Sequence, residues 1–310
     1  MLRFLVPLWR FHLRVLSGTV AEKTTEVLMK LRIAGVVALL LFCGRSTAAQ
    51  QRPLATEDPE PIGAGRVLIE SGIDYAHDQQ YPVSGLEGNL WRVPTIGVSF
   101  GISSIAEFQI DGGFYNHLSV TKRDPTAPLA AAVTMHGEST HDVEDFVVGM
   151  KIRVHAETQR SPGFALRFAT KLPNASNESG LGLDTTDFYT SLLGAKTVQS
   201  VRIVGNLGFA ILADPTEGAR QNDVLTYGAS FARAITPQAE LVGEFNGRVS
   251  TRSGSAFPGT ESRGLLKIGG RYTRGPARVD AAIFFGLTSI DPSVGFTAGI
   301  TYVFNAFSVP

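Results

Sequence analysis

The sequence predicts an all-β protein, a transmembrane antiparallel β-barrel of about 12 strands with both termini on the periplasmic side. Three observations predict it: an export signal near the N-terminus, alternation of apolar and polar residues between residues 66 and 304, and connections that alternate between short and long. The same region contains no long run with helical period. Helical domains are therefore not expected.

The N-terminal region has the build of a secretory signal peptide at 29–49. A short basic start is followed by an apolar run at 33–42 and by small residues that end in Ala49. A membrane-spanning helix needs about 20 apolar residues, so this run is too short to stay as an anchor. We expect cleavage after Ala49 and a mature protein that begins at Gln50.

Residues 1–28 precede this signal and lack its pattern. We interpret Met29 as the true start of translation and 1–28 as a mis-assigned upstream start. The alternative is an unusually long region before the apolar run.

The charge balance restricts the partners. The formal net charge is +0 and only 18% of residues are charged. A nucleic-acid binder needs a basic excess to displace counterions from phosphates, so no nucleic-acid partner is expected. The expected partners are outer-membrane lipid, the barrel assembly machinery and a small-molecule solute that the sequence does not identify; no cofactor is expected.

Period-two alternation sends successive side chains to opposite faces of a strand. In the first predicted strand, Val67 and Ile69 alternate with Leu68 and Glu70. The least clear segment is 185–195, where two apolar sets alternate against each other. The predicted strands, close to the 9 to 11 residues that a tilted transmembrane strand needs, are 66–76, 90–100, 105–115, 143–154, 163–172, 185–195, 201–212, 223–234, 239–249, 263–272, 278–287 and 294–304.

The lengths of the connections are the more specific signal. Short connections are predicted near 102–104, 157–161, 197–200, 236–238 and 274–276. Longer polar connections are predicted at 77–88, 116–142, 173–184, 213–222, 250–262 and 288–293. This alternation is typical of an outer-membrane barrel with periplasmic termini. It divides the mature chain into a periplasmic N-terminal segment at 50–65, the barrel at 66–304 and a short tail at 305–310.

The apolar face must contact lipid. In a water-soluble barrel the apolar side chains fill the interior, and a lipocalin-like pocket needs only about eight strands. Charged residues on the strands are too numerous here for that arrangement, and a lipid-facing charge costs about 2–4 kcal/mol near the midplane. We therefore expect the charges to line the lumen and the protein to reside in the cell outer membrane. The predicted lumen-lining residues are Glu70, Asp74, Glu107, Asp111, Lys151, Arg153, Arg167, Lys171, Arg202, Glu240, Glu244, Arg248, Lys267 and Arg271.

These charges allow two interpretations. They create a transverse field across a water-filled pore, or they pair and fill a narrow barrel, as Glu240 with Arg271 and Glu244 with Lys267 on adjacent strands. Placing Lys151 opposite Arg167 would destabilise the wall unless acids such as Asp145, or an anion, lie between them.

Catalytic and metal sites are not indicated. His77, His117, His136 and His141 fall in predicted loops without the spacing of metal ligands. The one G-x-S-x-G string, Gly97-Val98-Ser99-Phe100-Gly101, lies at the end of the predicted strand 90–100 with no helix after it, so it lacks the strand-to-helix turn of a nucleophile motif. His155 is predicted at the periplasmic side beside no strong serine candidate. No enzyme is expected.

Several motifs resemble a known family. They are Arg52-Pro53-Leu54-Ala55-Thr56-Glu57-Asp58, Asp145-Phe146-Val147-Val148-Gly149-Met150-Lys151, Lys171-Leu172-Pro173, Gly180-Leu181-Gly182, Asp184, Tyr227-Gly228-Ala229 and Glu244-Phe245-Asn246-Gly247. The chain resembles the outer-membrane proteins assigned to the MetA pathway of phenol degradation, which are also described as transporters. The resemblance implies a barrel that passes hydrophobic or aromatic solutes, and it supplies no catalytic residue.

The expected function is a porin-like channel or transporter for small, hydrophobic or aromatic solutes. The alternatives are a non-conducting structural barrel and an outer-membrane hydrolase. Barrels of this class end on an aromatic residue that the assembly machinery reads. Here Phe304 is the last aromatic residue of the final predicted strand, and the tail at 305–310 follows it.

Overall fold

The computed structural model describes residues 52–135 and 137–308. The predicted signal peptide at 29–49, the upstream stretch at 1–28, the predicted mature start at Gln50 and His136 lie outside the described residues. Within them, no helix has both the length and the apolar character needed to cross a membrane. The one helical element in these ranges is a 3-10 turn at Ala130–Ala132.

The described residues form fourteen strands. In chain order they are β1 (Arg66–Tyr81), β2 (Leu86–Gly101), β3 (Ala106–Gly113), β4 (Asn116–Arg123), β5 (Ser139–Asp142), β6 (Val147–His155), β7 (Gly163–Lys171), β8 (Asp187–Val198), β9 (Val201–Ala213), β10 (Gln221–Ala234), β11 (Ala239–Ser250), β12 (Arg263–Arg274), β13 (Ala277–Gly286) and β14 (Val294–Asn305).

Twelve of these strands close into a barrel, as predicted. Strands β4 and β5 stand outside the ring, and β1 pairs antiparallel with both β2 and β14, which closes the sheet. Strand β4 continues β3 along the edge of β2, and β5 pairs with β4. The two short strands therefore extend one hairpin of the barrel and add no strand to its wall.

Two predicted loops contain more strand than expected. In the first, predicted at 77–88, β1 continues to Tyr81 and β2 begins at Leu86, joined by a turn in which Gly85 has a φ of +73°. The second, at 116–142, contains β4 and β5. Backbone pairing continues there although the apolar alternation stops, because only the part of a strand in contact with lipid needs an apolar face.

Strand β2 contains an interruption near Pro94. Pro94 has no N–H to donate, and the pairing of β2 with β1 shifts by one residue near it. Arg92 faces inward before this irregularity, with Trp91 exposed, whereas Thr95 contacts the interior after it. A bulge of this kind moves every later side chain to the opposite face.

The outer face of the barrel is apolar. Large side chains such as Ile69, Phe168, Phe209 and Ile283 are exposed around the ring. In β8, Phe188 is 53% exposed and Leu193 only 1%, which resolves the ambiguous segment at 185–195. Such a surface is too large and apolar to face water, and a closed sheet leaves no unpaired edge in lipid. The fold is a transmembrane β-barrel.

Candidate functional site

A segment before the first strand lies inside the barrel. Residues 52–62, here called the plug segment, were expected within a periplasmic segment at 50–65. They contact inward-facing groups on ten of the twelve barrel strands, namely β1, β2, β3, β6, β7, β9, β11, β12, β13 and β14. The expectation for 52–62 is therefore corrected: polar groups on the barrel wall hold this segment in the lumen, where no alternation pattern marks it.

The plug segment enters the barrel at the end that carries the short turns. The Gly65 N–H donates to the Gly101 carbonyl at 2.8 Å, and the Ala306 N–H donates to the Gly65 carbonyl at 2.9 Å. Gly63 has a φ of +95°, a conformation that other residues rarely adopt. The chain thus reverses direction where the first, second and last strands meet.

Glu57 lies between two of the predicted lumen bases, Lys151 and Arg167. Lys151 pairs in register with Arg167 on the next strand. Glu57 Oε1 lies 2.6 Å from Arg167 Nε, and Glu57 Oε2 lies 3.5 Å from Lys151 Nζ. The predicted lumen residue Glu107 is 2.9 Å from the same ammonium group. Acids between the two cations were expected, but the acid that contacts both of them, Glu57, comes from the plug segment.

The remaining predicted bases on this side also meet acids. Arg202 forms an ion pair with Asp58, and Arg153 forms one with Glu60. Two further acids of the plug segment thus compensate bases of the wall. Lys171 Nζ lies 3.1 Å from both Asp145 and Asp187. The acidic run that supplies the plug carboxylates, Glu57-Asp58-Pro59-Glu60, is visible in the sequence and is the signal that could have identified this role.

The opposite wall holds the start of the plug segment. The Arg52 guanidinium donates to Thr95 at 2.9 Å and to Thr297 at 2.8 Å, and its side chain lies 3.8 Å from Asp74. Glu70 accepts the Arg52 backbone N–H at 3.3 Å. The Arg52 residue therefore connects β1, β2 and β14 across the seam where the barrel closes.

Strands β11 and β12 bind the backbone of the plug segment. The Glu244 carboxylate accepts the N–H groups of Ala55, at 2.7 Å, and of Thr56. Lys267 donates to the Pro53 carbonyl and Arg271 to the Arg52 carbonyl, each at 2.8 Å. These three side chains therefore hydrogen-bond to the peptide backbone of the plug segment.

The predicted cross-strand pairs occur in register. Glu244 lies opposite Lys267, and their side chains are 3.8 Å apart. Glu240 lies opposite Arg271 and is also 3.8 Å from Arg278. The charges of Glu244 and Glu240 are thus compensated by bases on this side of the barrel.

A cavity of about 940 Å³, here called the vestibule, lies on the long-loop side of the plug segment. Plug residues 52–57 form its floor. Its lining includes the predicted lumen residues Asp111, Arg248 and Lys267. Ala76, Leu90, Leu265 and Phe284 give it an apolar wall and belong to or pack against one internal cluster.

Several charged residues of the vestibule were missed by the sequence reasoning, among them Arg92, Glu144 and Arg263. Arg92 donates to Asp74 at 2.6 Å and to Glu144 at 2.8 Å. Arg92 lies just before the bulge in β2, so alternation over 90–100 gave it no consistent face. Glu144 falls within the predicted strand 143–154, where alternation placed it on the same face as Val148, but β6 begins only at Val147.

The histidines are placed as follows. His117 lies opposite His141 in the β4–β5 hairpin, and Tyr115 stacks on His117. His77 hydrogen-bonds Asn89 at 2.6 Å. Across residues 52–135 and 137–308, no group of three or more His, Cys, Asp or Glu side chains is arranged to hold a metal ion.

The sequence predicted no strong serine candidate beside His155, but Ser161 lies next to it in the turn between β6 and β7. His155 Nε2 lies 2.9 Å from Ser161 Oγ, and Ser161 Oγ lies 2.7 Å from Thr158 Oγ1. His155 and Thr158 are exposed to solvent at this short turn, and Ser161 is half-buried. Hydrogen bonds from the Arg160 and Ser161 N–H groups to Thr158 Oγ1 give this cluster a structural role in closing the turn.

No family model matches the chain, and no curated protein matches its sequence. Among solved structures, it is similar to outer-membrane expressed OmpT of Vibrio cholerae, with 10% identity over 77% of this chain and 97% of that chain and a TM-score of 0.39. It is similar to the translocator domain of autotransporter NalP from Neisseria meningitidis, with 12% identity over 78% and 88% of the chains and a TM-score of 0.43. The toluene transporter TodX of Pseudomonas putida gives 11% identity, 81% and 92% coverage and a TM-score of 0.37.

The barrel itself defines the class of protein. A closed ring of twelve antiparallel strands with an apolar outer face and a charged interior is an outer-membrane β-barrel. The protein resides in the outer membrane of a Gram-negative cell, in contact with outer-membrane lipid.

Proposed function

We propose that this protein is an outer-membrane channel or transporter for small, hydrophobic or aromatic solutes. The vestibule receives the solute, and the plug segment is the barrier that the solute must pass. The observation that carries this proposal is the cavity of about 940 Å³, part of whose wall is apolar and whose floor is the plug segment. Cavities of about 300–1,000 Å³ are the size that proteins use for small ligands.

The contacts of the plug segment suit a movable barrier. Its buried apolar side chains are those of Leu54, Ile62 and three prolines, and hydrogen bonds and ion pairs join it to most of the strands that it contacts. Water can replace such contacts, because a typical internal hydrogen bond contributes only about 1 kcal/mol net. Burial of apolar surface would hold the segment more firmly.

A disulfide between the plug segment and the wall tests this proposal. A Cβ built on Gly228 of β10 would lie 3.6 Å from the Thr56 Cβ, within the range that disulfides require. Thr56 Oγ1 has no hydrogen-bond partner, so replacing this side chain removes no such bond. The Thr56→Cys, Gly228→Cys double variant should therefore lock the plug segment to the wall.

The measurement is uptake of radiolabelled phenol by Gram-negative cells that lack their own porins and express the variant. Oxidation should reduce uptake to the level of cells without the protein, and dithiothreitol should restore it. Each single-cysteine variant is the matched control and should respond to neither treatment. Equal uptake in the cross-linked and reduced states would refute the plug segment as the barrier.

The structural-barrel alternative is separated by conductance in planar bilayers. A protein that passes neither ions nor phenol, locked or reduced, would be the non-conducting structural barrel. The channel proposal instead expects ion conductance that rises when the disulfide is reduced.

A hydrolase is the second candidate, favoured only by the hydrogen bond between His155 and Ser161. Hydrolysis of p-nitrophenyl butyrate by the purified protein, and its loss in Ser161→Ala, would support it. We propose that the protein is not an enzyme, because this pair lies on an exposed turn, where water weakens the electrostatic stabilisation that such chemistry needs.

A further inference from the structure

Two arginines face each other across neighbouring strands of the vestibule. Arg248 of β11 is the register partner of Arg263 of β12. Arg248 shares its face with Glu244, and Arg263 shares its face with Lys267, so both face the lumen. Side chains in this relation start about 4.5–5.5 Å apart, and like charges there are destabilising.

Arg248 is bound only through carbonyl groups. Its guanidinium donates to the Glu261 carbonyl at 2.9 Å and to the Gly259 carbonyl at 2.8 Å. No carboxylate of the described residues lies within ion-pair distance of it, in contrast to Arg92 and Arg167, which each meet two. Glu261 and Asp187 attract its positive charge from beyond ion-pair distance, so that charge is only partly compensated.

Arg263 is only weakly compensated. It donates to the Ile290 carbonyl at 3.2 Å, and the Asp291 carboxylate lies 3.9 Å away. One oxygen of that carboxylate, Oδ2, already accepts hydrogen bonds from the Gly264 N–H and from the Thr288 hydroxyl. The two guanidinium groups thus lie side by side at one corner of the vestibule, with no carboxylate in direct contact with Arg248.

The apolar wall of the vestibule begins beside this pair. Leu265 is the next inward-facing residue of β12 after Arg263, and it packs against the cluster that contains Phe284 and Leu90. A cationic corner next to an apolar wall matches a ligand with an anionic group and an apolar body. Guanidinium groups bind carboxylates through paired hydrogen bonds.

We propose that the vestibule binds an amphipathic organic acid of the size of benzoate, with its carboxylate between Arg248 and Arg263 and its ring against Leu265 and Phe284. The inference rests on the proposed function, since it names the class of solute that the same cavity takes. It narrows the solutes from hydrophobic or aromatic compounds in general to those that carry a negative charge.

Calorimetric titration of the purified full-length protein in detergent micelles, with micelles alone as the blank, tests the proposal. Benzoate at pH 7 should bind more tightly than benzyl alcohol, which lacks the charge, and more tightly than acetate, which lacks the ring. Arg248→Gln should weaken benzoate binding about tenfold and leave benzyl alcohol unchanged, because only the charged contact is removed. Arg263→Gln should act in the same direction.

Arg160→Gln, in the exposed turn between β6 and β7, is the matched control and should bind benzoate as the unmodified protein does. Heat-dependent migration on gels checks that each variant is folded, and Arg248→Lys, which keeps the charge, should retain part of the affinity. Equal binding of benzoate and benzyl alcohol, or unchanged benzoate affinity in folded Arg248→Gln, would overturn the proposal.

The two sets of experiments distinguish failure of this inference from failure of the proposed channel. Benzoate binding that depends on Arg248, in a protein that never conducts, would keep this inference and reject the channel. Phenol uptake that depends on the plug segment, without a preference for benzoate, would keep the channel and reject this inference.

Discussion

The Glu57 carboxylate lies 2.6 Å from the Arg167 guanidinium, so a residue that precedes the barrel neutralises a cation in its wall. Gln109 donates to the same carboxylate at 3.1 Å, and the Lys151 ammonium lies 3.5 Å from it. One plug side chain is thus shared by three strands. Its loss would leave two cations opposite each other.

We predict that Glu57→Gln lowers the free energy of unfolding by about 3 kcal/mol, because removing one partner of a buried ion pair leaves uncompensated charge. The measurement is urea unfolding in lipid vesicles. Glu60→Gln is the matched control: its partner, Arg153 of β6, is likewise an arginine, but this pair is more exposed, so the loss should be about 1 kcal/mol or less. Equal losses in the two variants would contradict the central position of Glu57.

A second prediction concerns the junction of the plug segment with the barrel. A Cβ at Gly101 would overlap the Gly63 carbonyl oxygen, which is backbone and cannot turn aside. We expect Gly101→Ala to lower the free energy of unfolding by about 2 kcal/mol or more, by overpacking. Gly205→Ala, whose Cβ would meet no atom within 4 Å, should change it by about 0.5 kcal/mol or less. Unfolding curves of the two variants that coincide would rule out the close approach.

The third prediction is a pH dependence at the turn between β6 and β7. Burial acts to raise the pKa of the Glu157 carboxyl, but hydrogen bonds from Thr197, Lys196 and Arg202 outweigh it and hold the pKa at about 2, below the ordinary value of 4.5. The ionised form is thus favoured in the folded state. Its contribution to stability is complete above pH 4.5 and is lost as the pH falls through about 2.

The difference in unfolding free energy between the unmodified protein and Glu157→Gln should therefore be constant from pH 7 down to about 5 and shrink towards pH 2. The measurement is a series of denaturant titrations across that range. A difference that stays the same at pH 2.5 and pH 7 would disprove the assignment.

The fourth prediction concerns assembly. Strand β14 ends at Asn305, one residue beyond the predicted end, and Phe304 is exposed on the outer face beside Tyr302. Phe304→Ser should reduce the amount of assembled barrel in the outer membrane, because the final aromatic residue is expected to be read by the assembly machinery. Phe307→Ser, in the tail, is the comparison and should have the smaller effect. Unchanged barrel levels in Phe304→Ser would show that the terminal signal lies elsewhere.

The sequence was sufficient for the barrel because lipid imposes a repeating pattern. The alternation of Ile69 with Glu70, repeated around the ring, is the direct result of one face in lipid and one in the lumen. It predicted the number of strands and the inward position of residues such as Lys151. Their role in solute passage stays a prediction.

The plug segment and parts of the vestibule could not be predicted because no repeating pattern in the sequence identifies them. The plug segment has no repeating environment, and its conformation follows from contacts with ten strands that are distant in sequence. Arg92 was missed because a single bulge inverted its face, and strands β4 and β5 were missed because both leave the apolar pattern. Each failure falls where tertiary contacts, rather than lipid, determine the structure.

The position of Arg52 has a consequence for how the protein folds. Its guanidinium meets Thr297 across 245 residues of sequence, and the same side chain reaches Thr95. These contacts exist only after the first and last strands have met, and folding slows as contacting residues become more distant in the chain. The plug contacts therefore form only once the barrel has closed. Interactions that form late in folding affect the rate of unfolding more than the rate of folding.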